Sequence, residues 1–175
     1  SITKGTVFEI NDLFYNVPAR EKFLKSDQTE VDHIYDLVLS LALSHPEISF
    51  SLKVNDKQTL VSSGSGDLKN TIYELLGDDL RKNLIEVNGK NSFLNIAGFS
   101  SALEISRSTK KSIFTFVNGR LVKCPILTKC INSSYEGLYP AGKYPVLVLN
   151  LKFNPKFLDV NVHPTKKEVR YTQPN

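Results

Sequence analysis

At 175 residues the chain has room for one domain with a proper core, or for one domain and part of another. A hydrophobic fraction of 41% and a charged fraction of 23% are ordinary for a globular protein. No apolar run reaches the length that crosses a bilayer, the longest being residues 37–43 and 144–149. The net charge of +4 permits contact with nucleic acid without requiring it, and the opening Ser1-Ile2-Thr3-Lys4 has no apolar signal region.

The chain opens on a β-rich stretch, residues 6–10. Asn16-Val17-Pro18 then reads as a helix start, with Asn16 as cap and Pro18 in the first turn, running to about Leu24. A second start at Ser26 or Asp27 has Glu30 placed for a capping box. Val31, Ile34, Tyr35, Val38, Leu41 and Ala42 recur at helical spacing, and His45-Pro46 ends that helix. Residues 48–54 alternate apolar and polar as a half-buried strand; Asn55-Asp56-Lys57 is the turn and residues 58–61 the return strand. Ser62-Ser63-Gly64-Ser65-Gly66 is the clearest breaker, and the domain boundary is placed there.

Beyond it, Asp67 caps a helix to about Leu76, closed by Gly77. Residues 84–87 and 92–99 form a hairpin around Asn88-Gly89-Lys90-Asn91. Residues 112–117 are a strand, Asn118-Gly119 a turn leading into Arg120-Leu121-Val122, and residues 125–135 a helix with Pro125 in its first turn. Residues 144–153 begin almost continuously apolar, the pattern of a central strand. Short strands at 159–162 and 168–171 flank His163-Pro164-Thr165-Lys166-Lys167. The fold class is α+β, helices packed on mixed sheets. The chain contains no Met and stops soon after its last predicted strand, which suggests a piece of a larger protein.

Recognisable catalytic chemistry is sparse. His33, His45 and His163 are far apart and have no metal-ligand spacing. Cys124 and Cys130, six apart on a predicted helix, point about 240° apart and do not pair; they are expected to be reduced, buried or half-buried thiols. There is no Gly-x-Ser-x-Gly elbow and no phosphate-binding glycine loop, and Ser63-Gly64-Ser65-Gly66 reads as a linker. The residues alone supply no catalytic set and no metal site.

Two segments stand apart physically. Asn16-Val17-Pro18-Ala19-Arg20 puts a cation in a first helical turn, against the helix dipole; a specific acidic or phosphate partner and a solvated Arg20 are both consistent with it. In Asp159-Val160-Asn161-Val162-His163-Pro164-Thr165-Lys166-Lys167 a strand ends, a proline stiffens the exit and a lysine is presented on a short loop. Such a lysine can neutralise a phosphate as a point charge, though a solvated lysine is the ordinary reading of the residues alone.

These segments carry a resemblance. Gly5-Thr6-Val7 through Asp12-Leu13-Phe14-Tyr15-Asn16-Val17-Pro18-Ala19-Arg20-Glu21-Lys22-Phe23-Leu24-Lys25 resembles the signature of the MutL mismatch repair family, in its bacterial form. Phe116-Val117-Asn118-Gly119-Arg120 resembles the family's second motif, and residues 159–170 its third, in the family's order. The resemblance implies an ATPase of the gyrase, Hsp-ninety, histidine kinase and MutL (GHKL) superfamily. Residues 1–63 would be the C-terminal portion of the Bergerat-type ATPase domain. Residues 64–175 would be the transducer domain, a βαβ fold like domain 2 of ribosomal protein S-five. Lys166 matches the lysine that reaches the γ-phosphate of ATP, and Gly5 and Thr6 match a motif lining the nucleotide pocket. The family's magnesium-binding Asn, catalytic Glu and glycine-rich lid have no counterpart here. The fragment is therefore expected to have no catalytic residue, no metal and no bound cofactor of its own, although the parent would be a slow ATPase using ATP and Mg.

The family's partners would be DNA held without sequence preference in a basic groove, a second copy of the N-terminal region, the mismatch-recognition protein MutS and downstream repair factors. There is no membrane partner, and the location would be the bacterial cytoplasm, at the nucleoid. Arg107, Lys110, Lys111, Arg120, Lys123 and Lys129 form a locally basic stretch, from which Arg120, Lys123, Lys110 and Lys111 are the candidate DNA contacts. Relatives carry more arginines after Asn-Gly-Arg, whereas Lys123 is followed here by Cys124-Pro125. Two other classes remain open on the residues: a dimerisation or binding module with no nucleotide role, and a ribosomal-protein-type nucleic-acid-binding domain unrelated to repair.

Overall fold

The computed structural model describes residues 4–153, 158–159 and 170–171. The chain divides into two compact units, Ser1–Ile34 and Tyr35–Asn175.

Ahead of Asp27 the first unit is built mainly from turns. Residues 6–10 are not a strand: Val7, Phe8 and Ile10 are all exposed, and among the described residues the stretch has no pairing strand. β-propensity without a partner leaves backbone groups to water, and tertiary context decides the outcome. Two further turns follow, closed by Tyr15 N–H donating to the Asp12 carbonyl at 2.9 Å and Val17 N–H to the Phe14 carbonyl at 2.8 Å. Helix α1 is a single turn, Pro18–Glu21, and its cap is Val17 with no side-chain hydrogen bond, so Asn16 does not cap it. Pro18 sets the first φ, but a turn with no buried face has no packing to extend it to Leu24.

Helix α2, Asp27–Ser44, crosses from one unit into the other and ends before Pro46 as expected. Glu30 reaches back to the Lys25 N–H at 2.9 Å, a capping-box contact displaced from the cap itself. Within the second unit the inward stripe is Tyr35, Val38, Leu39, Ala42 and Leu43, spaced by three and four. Ile34 and Leu41 are on the exposed side, so the helical period was legible but the buried stripe is displaced by a residue.

Strands β1 (Ser51–Val54) and β2 (Lys57–Val61) form an antiparallel hairpin. Asn55 and Asp56 both adopt positive φ, the tight turn whose twist matches the strands. The Ser-Gly breaker after β2 is not a loose tether. Ser62 is buried and exchanges hydrogen bonds with Phe50, its N–H donating to the carbonyl and its Oγ accepting from the Phe50 N–H. The Gly66 N–H donates to the Pro46 carbonyl. The Ser63 N–H donates to Glu74 at 3.0 Å, the chief reason that carboxyl is held below its ordinary value. A Cβ at Gly64 would stand 2.5 Å from the Ser49 nitrogen, so glycine is required for close approach as well as for its φ of +69°.

Helix α3, Leu68–Leu76, starts as the sequence indicates: Asp67 Oδ1 accepts from the Lys69 N–H at 2.8 Å, and Gly77 closes it at positive φ. A single 3-10 turn, Asp78–Leu80, leads into the main sheet. Its strands are β3 (Leu84–Lys90), β4 (Leu94–Ser101), β5 (Ile113–Val117), β6 (Arg120–Leu121) and β7 (Leu147–Phe153). They lie in the order β3-β4-β7-β5-β6. The β3–β4 turn is later than Asn88-Gly89: Asn91 makes it, its Oδ1 accepting from the Phe93 and Leu94 N–H groups. Gly89 and Lys90 therefore stay in the ladder, opposite Ile96 and Asn95. Central β7 is antiparallel to β4 and parallel to β5, and the β5-to-β7 crossover carries helix α4, Pro125–Ser134, making a βαβ unit. At Gly98, where β4 meets β7, an added Cβ would strike the Val148 carbonyl oxygen, which fixes glycine there.

Leu39 and Leu43 of α2, Leu60 of β2, Ile72 of α3, and Phe116 and Val148 of the sheet belong to one buried cluster. A smaller one joins Val117, Val122, Cys124 and Leu151. Cys124 is buried at the cap of α4, but Cys130 is exposed, contrary to the expectation for it; both are free. Two short strands, β8 (Leu158–Asp159) and β9 (Arg170–Tyr171), pair antiparallel. The architecture is α+β, as the patterning indicates.

Candidate functional site

In the first unit the residues 12–20 fold as consecutive tight turns. Asp12 and Phe14 hold φ of +49° and +73°. Asp tolerates that region, but for a phenylalanine it is strained by about 1 kcal/mol or more. Gly5 and Thr6 precede these turns and are exposed, presenting a backbone N–H and a hydroxyl of the kind that ligate phosphate oxygens. Arg20 is exposed in the single turn of α1.

Lys166 lies outside the described residues. What is described is its frame: Leu158 opposite Tyr171, and Asp159 opposite Arg170, so the two ends of the third motif are paired.

The basic stretch is assembled by the βαβ crossover. Lys110 and Lys111 form the 3-10 turn that enters β5, and Lys123 leaves β6 on the way into α4. Because β5, β6 and α4 are consecutive around one edge of the sheet, these three lysines line a single cleft of about 440 Å³. Its interior is Ile113, Phe114, Leu121, Val122 and Ile131, and Asp36 is its acidic lining residue. Open surface cavities continue along α4 on both sides, taking in Lys129 in one direction and Lys143 in the other. Lys143 donates to Ser108 Oγ at 3.2 Å, and the Lys110 ammonium stands 5.1 Å from the Tyr144 ring centroid.

Arg120 is not brought into the cleft; it sits exposed in β6 opposite Val117, beyond the Asn118-Gly119 turn. Arg107 is not a free cation. Its guanidinium donates to both oxygens of Asp79 at 2.9 and 3.1 Å and to the Leu76 carbonyl at 3.2 Å. The Asp79 carboxyl is held below its ordinary value by that guanidinium, against a smaller opposing effect of burial. Sequence reading missed Lys143 and the apolar lining; both follow only once the parallel register of β5 and β7 is known. Tyr135, near the end of α4, bonds Ser100 Oγ of β4 at 2.6 Å and fixes the helix to the sheet; burial raises its pKa. Among the described residues no group of three His, Cys, Asp or Glu could hold a metal ion. No helix there is long and apolar enough to cross a membrane.

Residues 72–175 match the sequence profile of the DNA mismatch repair protein C-terminal domain. The chain belongs to the MutL family of DNA mismatch repair proteins. The DNA mismatch repair protein MutL of Geobacillus sp. (strain WCH70) is 39% identical over 97% of the chain, and that of Listeria welshimeri 41% identical over the same share. The chain spans 28% of the length of each of these relatives. Among solved structures, the Aquifex aeolicus MutL ATPase domain complexed with ADP superimposes with a TM-score of 0.64 at 26% identity. The match covers 83% of this chain and 52% of that one. Membership of the MutL family accounts for the order of the three motifs along the chain.

Proposed function

We propose that this chain is the part of a MutL protein that completes the ATP site from outside the catalytic core and couples nucleotide state to dimerisation and DNA binding. Residues 1–63 are the C-terminal portion of the ATPase domain, and residues 64–175 the transducer. The ammonium of Lys166 neutralises the γ-phosphate of ATP as a point charge, with Gly5 and Thr6 lining the pocket. Loss of that phosphate removes the charge that Lys166 senses, so the segment reports the nucleotide state as a switch. Mg and the hydrolytic residues belong to the remainder of the parent, and the fragment alone does not turn over ATP. The observation that supports this reading is the β8–β9 pairing, which sets Asp159 opposite Arg170, the first and last residues of the third motif.

The exposed apolar side chains of the first unit agree with it: Val7, Phe8, Ile10 and Phe23 are the material of a domain core completed by other chain. DNA is held non-specifically through Lys110, Lys111 and Lys123, with Arg120 at the neighbouring turn. MutS, a second copy and downstream repair factors are the protein partners, in a bacterial cytoplasm near the nucleoid.

ATP turnover by the full-length parent tests the central claim. Lys166→Ala is expected to lower turnover by about a hundredfold, the scale of losing one charge-stabilising contact, with Lys167→Ala mild by comparison. Unchanged turnover in Lys166→Ala sinks the γ-phosphate role and leaves a dimerisation or binding scaffold.

A further inference from the structure

The cleft beside α4 combines two chemistries that phosphate binding does not need together. Its rim is cationic, with Lys110, Lys111 and Lys123 against Asp36. Among the described residues none of these lysines forms an ion pair, so their charge is available to a ligand. Its floor is aliphatic, formed by Ile113, Leu121 and Ile131, each only partly covered by the protein itself. Contacts to a nucleic-acid backbone use cations and hydrogen-bond donors and gain nothing from an aliphatic floor. Bases of a single strand stack on open ring faces. The rings near the cleft are occupied: Phe114 is 7% exposed, Lys110 stands over Tyr144, and Tyr135 packs against Tyr139 with its hydroxyl bound to Ser100.

A ligand that satisfies rim and floor together is a peptide in which carboxylates flank an aliphatic side chain. Its acid groups match the unpaired lysines and its apolar group leaves water in the cleft. A volume of about 440 Å³ lies within the range of pockets that enclose a ligand. We infer that the cleft between the β5–β6 hairpin and α4 docks an acidic peptide segment of a protein partner, with a leucine or isoleucine seated over Ile113, Leu121 and Ile131. Its flanking carboxylates contact Lys110, Lys111 and Lys123. Because these are the proposed DNA contacts, the docked segment and DNA exclude one another, which makes the cleft a point at which an acidic partner displaces DNA. The docking itself stands without the DNA reading.

The test is fluorescence anisotropy with the whole chain and three labelled probes: a short peptide of Asp-Glu pairs separated by leucine, the same peptide with serine for leucine, and a thymidine oligonucleotide of matching charge. The leucine peptide should bind about tenfold or more tightly than the serine peptide, the factor expected for burying one aliphatic side chain. Asn132→Trp, at an exposed position of α4 lining the cleft, should remove that preference while leaving the thermal unfolding midpoint in place. Lys110→Glu with Lys123→Glu should weaken both peptides. Equal binding of the two peptides overturns the inference without any variant, since charge alone then suffices. Tighter binding of the oligonucleotide, blocked by Asn132→Trp, also overturns it and assigns the cleft to a nucleic-acid strand.

Discussion

The two units differ in where their apolar residues are. Among the described residues of Ser1–Ile34 none is buried, and Val7, Phe8, Ile10, Tyr15 and Phe23 are exposed. In Tyr35–Asn175, residues of similar hydrophobicity, among them Leu43, Ile72, Phe116 and Val148, are sealed from solvent. Composition does not distinguish them; partners do. The second unit has a sheet with a central strand, helices on it and a capped start to α3. The first has turns and a strained phenylalanine. The second unit supplies its own core, with Phe116 of the second motif inside it, and the first carries the longest family motif on a surface without one.

The sharpest way to break this contrast is a core truncation. Phe116 is fully buried in the main cluster, so Phe116→Ala should cost about 3–5 kcal/mol from lost transfer energy and the cavity left behind. Urea unfolding followed by far-ultraviolet circular dichroism reads it as a fall in midpoint. A change under about 1 kcal/mol would mean that the cluster is not the stabilising core.

That cluster also marks how far the sequence could be read. Strand β7 was legible as central because its apolar run is continuous, and the Asn55-Asp56 and Asn118-Gly119 turns because Asn, Asp and Gly tolerate the positive φ they adopt. In the Ser62–Gly66 segment serine and glycine signal a break. In the structure Gly64 permits close approach to Ser49 and Ser62 is buried in hydrogen bonds to Phe50, so small residues here mean tight packing. Residues 6–10 misled in the opposite direction: their side chains favour a strand, but a strand needs a neighbour, and sequence does not state one. At the site, the run of lysines was visible, while the loss of Arg107 to Asp79 is a tertiary contact 28 residues apart in sequence and the aliphatic floor depended on sheet register. The proposed γ-phosphate lysine was legible through motif resemblance alone, since a cation on a loop carries no physical signature that separates it from a solvated one.

The Arg107–Asp79 pair gives a smaller effect with a defined pH dependence. It ties the 3-10 turn after α3 to the Arg107–Tyr144 bridge. Both groups are partly exposed, so Arg107→Gln should cost no more than about 1 kcal/mol at neutral pH. The Asp79 carboxyl is lowered in the folded chain from an ordinary 3.8, chiefly by the Arg107 hydrogen bonds. A depressed folded value means the stabilisation is fully present above 3.8 and is lost as pH falls through the folded value. The difference between Arg107→Gln and the unaltered chain should therefore be constant near neutrality and shrink in acid below that point. A difference that grows in acid would contradict the assignment.

The smallest expected effect tests the other side of the contrast. Phe8 is 86% exposed, so its ring contributes almost no burial to this chain. Phe8→Ser should shift the stability of the 175-residue chain by no more than about 0.5 kcal/mol, the range of an ordinary surface substitution. In the full-length parent the same substitution should cost about 2 kcal/mol or more, because the proposed ATPase domain would bury that ring. The pair of measurements separates two origins of an exposed apolar surface. A small effect in both proteins would mean that the ring stays in solvent throughout, and the surface of the first unit would then be free for a partner. A large effect already in the short chain would show that Phe8 has a contact there, and the contrast between the two units would fail at its most exposed residue.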